Sequence, residues 1–170
     1  DMLKPGSNAS RMMKEGALTL LADSESKEAI PLLVELVRTE TDLRLRKKAI
    51  EALGGIEDSS TLEPLKALVM QAAGAGGDVA IARVALHSLA QHHSAAVRGM
   101  LLEIARSNAA LELRAEAINS LGEIENDPTV VDDLLKLYAA EQNAQLQVAV
   151  IEVLSEIDSP RAQAALAELA

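Results

Sequence analysis

Three histidines fall close together, His87, His92 and His93, with Asp78 a short way upstream. Imidazole and carboxylate are groups that hold zinc, and a zinc site needs three or four of them converging on one point. His87 and His92 stand five residues apart. On a helix that spacing separates them by about 140° and spreads them over different faces. The pattern is that of solvated histidines at a helix end, and no metal is expected. The run Gly74-Ala75-Gly76-Gly77-Asp78 is rich enough in glycine to suggest a phosphate cradle. Such a loop follows a strand and ends in Gly-Lys-Ser/Thr, and this run does neither. It reads as a flexible insertion ahead of a helix. Carboxylates are frequent, with Glu112, Glu116 and Glu123 in one segment and Glu152 and Glu156 in another. Their spacing is that of solvated helix faces, and no Ser/His/acid constellation stands out. No catalytic residue, no metal ligand and no cofactor is expected, and the chain reads as non-enzymatic.

Charge removes further classes. The formal charge is −10. Residues 1–85 hold 11 basic and 13 acidic groups, net −2, and residues 86–170 hold 5 and 13, net −8. An acidic chain is poorly suited to neutralising phosphates, so nucleic acid is not an expected partner. No apolar run reaches about 18 residues, so no membrane insertion is expected. Cysteine is absent, which rules out a disulfide framework and a thiolate site. Asn8-Ala9-Ser10 fits a glycosylation acceptor, a short match with little weight by itself. No signal peptide is visible, and the first residue is Asp1 rather than Met. A processed form or a segment of a longer protein is expected. The compartment is not fixed by the sequence, a soluble cytoplasmic chain being the first expectation.

What positions any surviving surface is a repeat. Leu45-Arg46-Lys47-Lys48-Ala49-Ile50-Glu51-Ala52-Leu53-Gly54-Gly55-Ile56 returns as Leu113-Arg114-Ala115-Glu116-Ala117-Ile118-Asn119-Ser120-Leu121-Gly122-Glu123-Ile124, an offset of 68 residues. Weaker copies run from Ile81 to His92 and from Leu146 to Ile157. A period of 33 to 36 residues is the signature of stacked helical units. There is no Phe, no Trp and a single Tyr, Tyr138, so the core must be Leu, Ile, Val, Met and Ala. Small residues let helices approach closely, and the scarcity of β-formers argues against a sheet.

Residues 1–10 read as a flexible arm or an expression remnant. The solenoid is expected over 11–170, with repeats at about 27–59, 60–94, 95–128 and 129–160 and half-repeats at 11–26 and 161–170. In each repeat a helix A precedes a helix B. Helix A is expected at about 28–39, 60–73, 96–107 and 130–140, and helix B at 43–56, 79–91, 111–125 and 144–157, after a first helix from Arg11 to Ala22. Asp42 and Asp78 stand where they can cap B helices. Pro31 and Pro64 sit in first turns, where a missing amide is harmless. Gly54-Gly55 is expected to loosen the last turn of its helix. Asn126-Asp127-Pro128 and Asp158-Ser159-Pro160 stop theirs. The last stretch, Ala164-Ala165-Leu166-Ala167-Glu168-Leu169-Ala170, lacks a polar outer face and is a candidate for self-association.

The helix B pattern (Asp42, Leu45, Arg46, Ala49, Ala52, Leu53, Gly54, Ile56; Leu113, Arg114, Ala117, Ser120, Leu121, Gly122, Ile124) resembles the HEAT repeat. It is closest to the short bacterial type found in scaffolds and in phycobilin lyase subunits. The resemblance covers residues 11–170 and implies an all-α, right-handed, armadillo-like α-solenoid of about four helix pairs. It implies that the arginine and the Asp of a neighbouring loop lock successive units. Here the arginine is replaced by Ala82 and Gln147, and the cap position of the third repeat is Ala110. The second and fourth repeats are therefore expected to fray first. Iron-binding relatives use His-Glu pairs, and this sequence has none. HEAT-like DNA glycosylases need basic, base-stacking grooves, which the composition does not supply.

In the family the B helices line the concave side. Once the core positions are removed, the residues expected there are Lys14 and Glu15; Lys47, Lys48 and Glu51; Arg83, Val84 and His87; Glu116, Asn119 and Glu123; and Val148, Glu152 and Glu156. They pass from basic to acidic along the sequence, which suits an extended peptide or a partner helix. The expected function is a protein–protein interaction scaffold or regulatory module. The alternative implied by the resemblance is a lyase-like subunit, or chaperone, for a tetrapyrrole-carrying protein. That would favour an apolar, aromatic-lined groove.

Overall fold

The computed structural model describes residues 3, 7, 9–23, 26–71, 77–92, 94–124 and 129–169. Within them are ten α-helices and no strand: α1 (Arg11–Asp23), α2 (Ile30–Thr39), α3 (Leu43–Gly55), α4 (Leu62–Gln71), α5 (Val79–Ala90), α6 (Ala95–Arg106), α7 (Leu111–Gly122), α8 (Thr129–Ala140), α9 (Ala144–Glu156) and α10 (Pro160–Leu169). Single 3₁₀ turns at Lys27–Ala29 and Ser59–Thr61 lead into α2 and α4. The glycine run 74–76, His93, the Asn126-Asp127-Pro128 stop, Asn8 of the acceptor triplet and Ala170 lie outside the described residues. Of the N-terminal arm, Leu3 is buried.

The chain divides into two compact units, Asp1–His92 and His93–Ala170. In the first, α2 packs on α3 and α4 on α5, and α1, α3 and α5 stand side by side. In the second, α6 packs on α7 and α8 on α9, α7 stands beside α9, and α10 closes on α8 and α9. Each unit is a stack of helix pairs, with A helices (α2, α4, α6, α8, α10) on one side and B helices (α1, α3, α5, α7, α9) on the other.

The helices begin where side chains satisfy the free amides of their first turns. Asp42 accepts from the amides of Arg44 (2.9 Å) and Leu45 (3.4 Å). Asp78 does the same for Ala80 (3.1 Å) and Ile81 (3.2 Å), and Asn143 for Gln145 (2.9 Å) and Leu146 (3.3 Å). Ala110 contributes no side-chain cap to α7. Pro31 lies in the first turn of α2, as its spacing predicts. Asp78→Ala should cost about 1 kcal/mol of stability, the usual loss for a cap of this type. Urea unfolding of the two proteins measures it; an unchanged midpoint would show that the cap is redundant.

The core is mainly aliphatic. Leu33, Ile50, Leu53, Leu65, Leu86 and Leu89 in the first unit, and Leu101, Ile104, Leu113 and Ile118 in the second, are closed to solvent. Where the B helices meet, side chains are trimmed to fit. A Cβ placed on Gly54 would stand 2.5 Å from Cβ of Ser88, and one on Gly122 would stand 2.5 Å from Cγ1 of Val153. The glycine pair 54–55 therefore does not loosen the end of α3. The helix runs through both residues, and Gly54 is buried where α5 approaches. On the A side of the same unit, α2 and α4 are parted by a cleft of about 350 Å³.

Candidate functional site

Successive B helices are tied by a polar device on α1, α3 and α7. Arg46 donates from Nε to the carbonyl of Val37 at the end of α2 (3.1 Å), and its Nη1 lies 3.8 Å from Oδ2 of Asp78, the cap of α5. Arg114 donates from Nε to the carbonyl of Ala105 (2.8 Å) and from Nη2 to Glu141. Glu141 also accepts from the amides of Gln142 (2.9 Å) and Asn143 (2.8 Å). Lys14 repeats this in the first unit. Its ammonium donates to Glu40 (2.9 Å), which accepts from the amides of Thr41 (2.9 Å) and Asp42 (3.1 Å). The lysine and glutamate side chains are only 14% and 11% exposed. Lys14 therefore leaves the expected outer strip and becomes part of the framework. Gln147 takes the arginine's place on α9 and donates to the carbonyl of Glu141 (2.9 Å).

The chemistry of these acids follows from their partners. The Lys14 hydrogen bond, aided by the amide of Asp42, holds the Glu40 carboxyl below its ordinary value. Burial pushes the Glu141 carboxyl up, but the Asn143 amide and the charge of Arg114 outweigh it, and the net shift is downward. Asp58 is held well below the usual carboxylate range by Lys27, whose Nζ stands 2.5 Å away, and by the hydroxyl and amide of Ser60. All three are ionised acids fixed in structural contacts, unsuited to giving up or taking a proton near neutrality.

The remaining surface residues sort by unit. On the outer face of α3, Lys47 and Lys48 are half-buried and Glu51 is exposed. On α5, Arg83 and His87 are exposed and Val84 is half-buried. On α7, Glu116 is half-buried and Asn119 exposed, as is Glu123 just past its end; on α9, Glu152, Glu156 and Val148 are exposed. Within each unit these residues sit on neighbouring B helices. The first unit's face is mainly basic and the second's mainly acidic. Glu15 is drawn to Arg11 on its own helix (3.7 Å).

Of the described histidines, His87 and His92 do not converge. His87 Nε2 lies 3.2 Å from Nε2 of Gln91 on its own helix, and His92 Nε2 lies 3.5 Å from Oγ1 of the buried Thr61. Among the described residues, no group of three or more His, Asp or Glu is placed to hold a metal, and no helix is long and apolar enough to cross a membrane.

The repeat spacing, the paired helices and the arginine contacts meet a sequence match of the same kind. The model of HEAT repeats matches residues 7–75 and 100–170. The chain belongs to the HEAT-repeat family. Its fold is an α-solenoid, and HEAT repeats are generally non-catalytic frames for protein interaction. No curated protein matches the chain.

Two features of this HEAT chain escape sequence reading. One is the cleft between α2 and α4. The other is the apolar surface of α1, where Met12 is 81% and Leu20 is 72% exposed. Among the described residues, the two most exposed large apolar side chains thus lie on the first helix, whereas Leu166 and Leu169 of α10 are half-buried. Helical periodicity alone could have flagged Met12 and Leu20, which fall on the side of α1 opposite Leu18.

Proposed function

We propose that the chain is a non-enzymatic interaction module that holds an extended protein segment on the outer faces of its B helices. The observation that carries this is the charge sorting of the polar residues on these faces, unit by unit. Lys47, Lys48, Glu51, Arg83 and His87 stand on α3 and α5, and Glu116, Asn119, Glu123, Glu152 and Glu156 on α7, just past its end, and on α9. Those of the first unit form a mainly basic face and those of the second a mainly acidic one. An acidic segment would be steered to the first unit's face and a basic segment to the second's.

The test is capture from a native extract with wild-type chain as bait, beside a variant carrying Lys47→Glu, Lys48→Glu and Arg83→Glu. A partner held by the first and weakened at least about tenfold in the second is expected. An undiminished partner would reject the basic face. The binding should also weaken as salt is raised, since exposed charges beyond about 8 Å are screened at physiological ionic strength.

The tetrapyrrole reading finds less support. The α2/α4 cleft is lined by aliphatic side chains, Pro64 and three polar residues, and the chain's single aromatic residue, Tyr138, is on α8. Titration with a bilin, followed by its visible spectrum, would show a saturable shift if that reading held.

A further inference from the structure

The cleft between α2 and α4 lies on the side of the stack away from the B-helix faces. Its origin is compositional. With Gly54 bringing α3 and α5 together, the A helices diverge, and the side chains facing the gap are short: Val34 and Val37 from α2, Ala67 and Leu68 from α4, with Leu53 at the floor. None of these aliphatic side chains reaches far enough to close the gap. The volume, about 350 Å³, is at the lower end of the range in which proteins hold ligands.

Its rim carries one charge of each sign. Glu63 stands in the first turn of α4 and Arg38 in the last turn of α2. Both are exposed, and neither makes an ion pair with another described residue. The two A helices occupy equivalent places in successive pairs and run the same way, so the charges mark opposite ends of the cleft. An apolar trough with an anion at one end and a cation at the other is the complement of one face of an amphipathic helix.

We propose that this cleft is a second docking site, for an amphipathic helix of a partner protein. The helix would place two aliphatic side chains, one turn apart, into the trough over Leu53. A basic residue at one end would meet Glu63 and an acidic residue at the other would meet Arg38. The site is independent of the B-helix faces, so the chain can hold two segments at once. A fatty acid would fill the trough and meet Arg38 but leave Glu63 unanswered, and a helix answers both.

The probe is a capped helical peptide with two leucines one turn apart, between a lysine and a glutamate two turns apart. A second peptide has the lysine and glutamate exchanged, and decanoate serves as an aliphatic control. Binding is followed by methyl and amide NMR shifts on the full chain. The first peptide should bind with Kd below about 1 mM, shifting Val34, Leu53 and Leu68 and leaving Lys47 and Arg83 unmoved. Ala67→Phe fills the trough from an exposed position and should weaken binding by about tenfold. The double variant Arg38→Glu, Glu63→Lys should reverse the preference between the two peptides. No saturable binding by the first peptide, equal binding of both by the wild type, shifts confined to the B helices, or saturation by decanoate alone would each overturn the proposal.

Discussion

Gly54→Ala is expected to destabilise the protein by about 2 kcal/mol, and Gly54→Val by about 3 kcal/mol. The sign is the informative part. In an ordinary helix interior, Gly→Ala gains about 0.5–1 kcal/mol through lower backbone entropy of the unfolded chain. Gly99 in α6 is such a site, because a Cβ there meets nothing within 4 Å, and Gly99→Ala should show that gain. At Gly54 the added carbon would stand 2.5 Å from Cβ, 2.8 Å from Oγ and 3.1 Å from Cα of Ser88. The last of these is backbone, so no rotamer change relieves it and α5 must shift. Gly122→Ala meets only side-chain carbons of Val153, at 2.5, 3.6 and 3.8 Å, and should lose about 1 kcal/mol. Urea unfolding of the four single variants gives the order Gly99→Ala above wild type, then Gly122→Ala, then Gly54→Ala and Gly54→Val. A double variant, Gly54→Ala with Ser88→Gly, should lose at least about 1 kcal/mol less than the sum of its parts. Additive losses, or a gain at Gly54, would mean that the helices are not held by this contact.

Much of this architecture was legible in the sequence because period, cap and breaker all act locally. The helix bounds expected from Asp42, Asp78 and Pro31 lie within about two residues of those observed, the usual uncertainty of helix ends. The lock between repeats was legible in kind but not in partner. Arg114 was expected to meet the Asp of a neighbouring loop; that cap position is Asn143 here, and the arginine pairs instead with Glu141, two residues earlier. Lys14 looked like surface because a lysine on a helix usually is; its partner Glu40 is 26 residues away and only the fold brings them together. Gly54 was misread because a glycine near a helix end has a local explanation, while its real reason is a side chain on another helix. The cleft was invisible for the same reason, since a volume between two elements has no local signature. Surface assignments such as Glu51, Asn119 and Glu152 follow from helical phase alone, but whether a partner uses them is a property of the partner.

The second large effect is expected at the acid that closes the turn before α9. Glu141→Ala should cost about 2 kcal/mol. Its carboxylate accepts from two amides and from Arg114, and the two side chains are only 10% and 18% exposed. Removing it strands two amides and leaves a guanidinium that is largely covered, still bonded to the carbonyl of Ala105 but without its counter-charge. Glu141→Gln, which keeps an acceptor and loses the charge, should cost less, about 1 kcal/mol. The same arrangement at Glu40 makes the pair a source of pH dependence. Both carboxyls are held below the ordinary value of 4.5 in the folded chain. A depressed folded-state pKa means that the unfolded chain binds protons first as pH falls. The stabilisation is therefore complete above about pH 4.5 and is lost as pH drops through the folded values. Asp58 contributes with the same sign, so the wild type alone does not isolate the pair. The double variant Glu40→Gln, Glu141→Gln does. It should be less stable than wild type at pH 7, and the gap should narrow as pH falls below about 4.5. A gap that stays constant down to pH 3 would show that the two carboxylates act through shape rather than charge, and that Lys14 and Arg114 are held by packing alone.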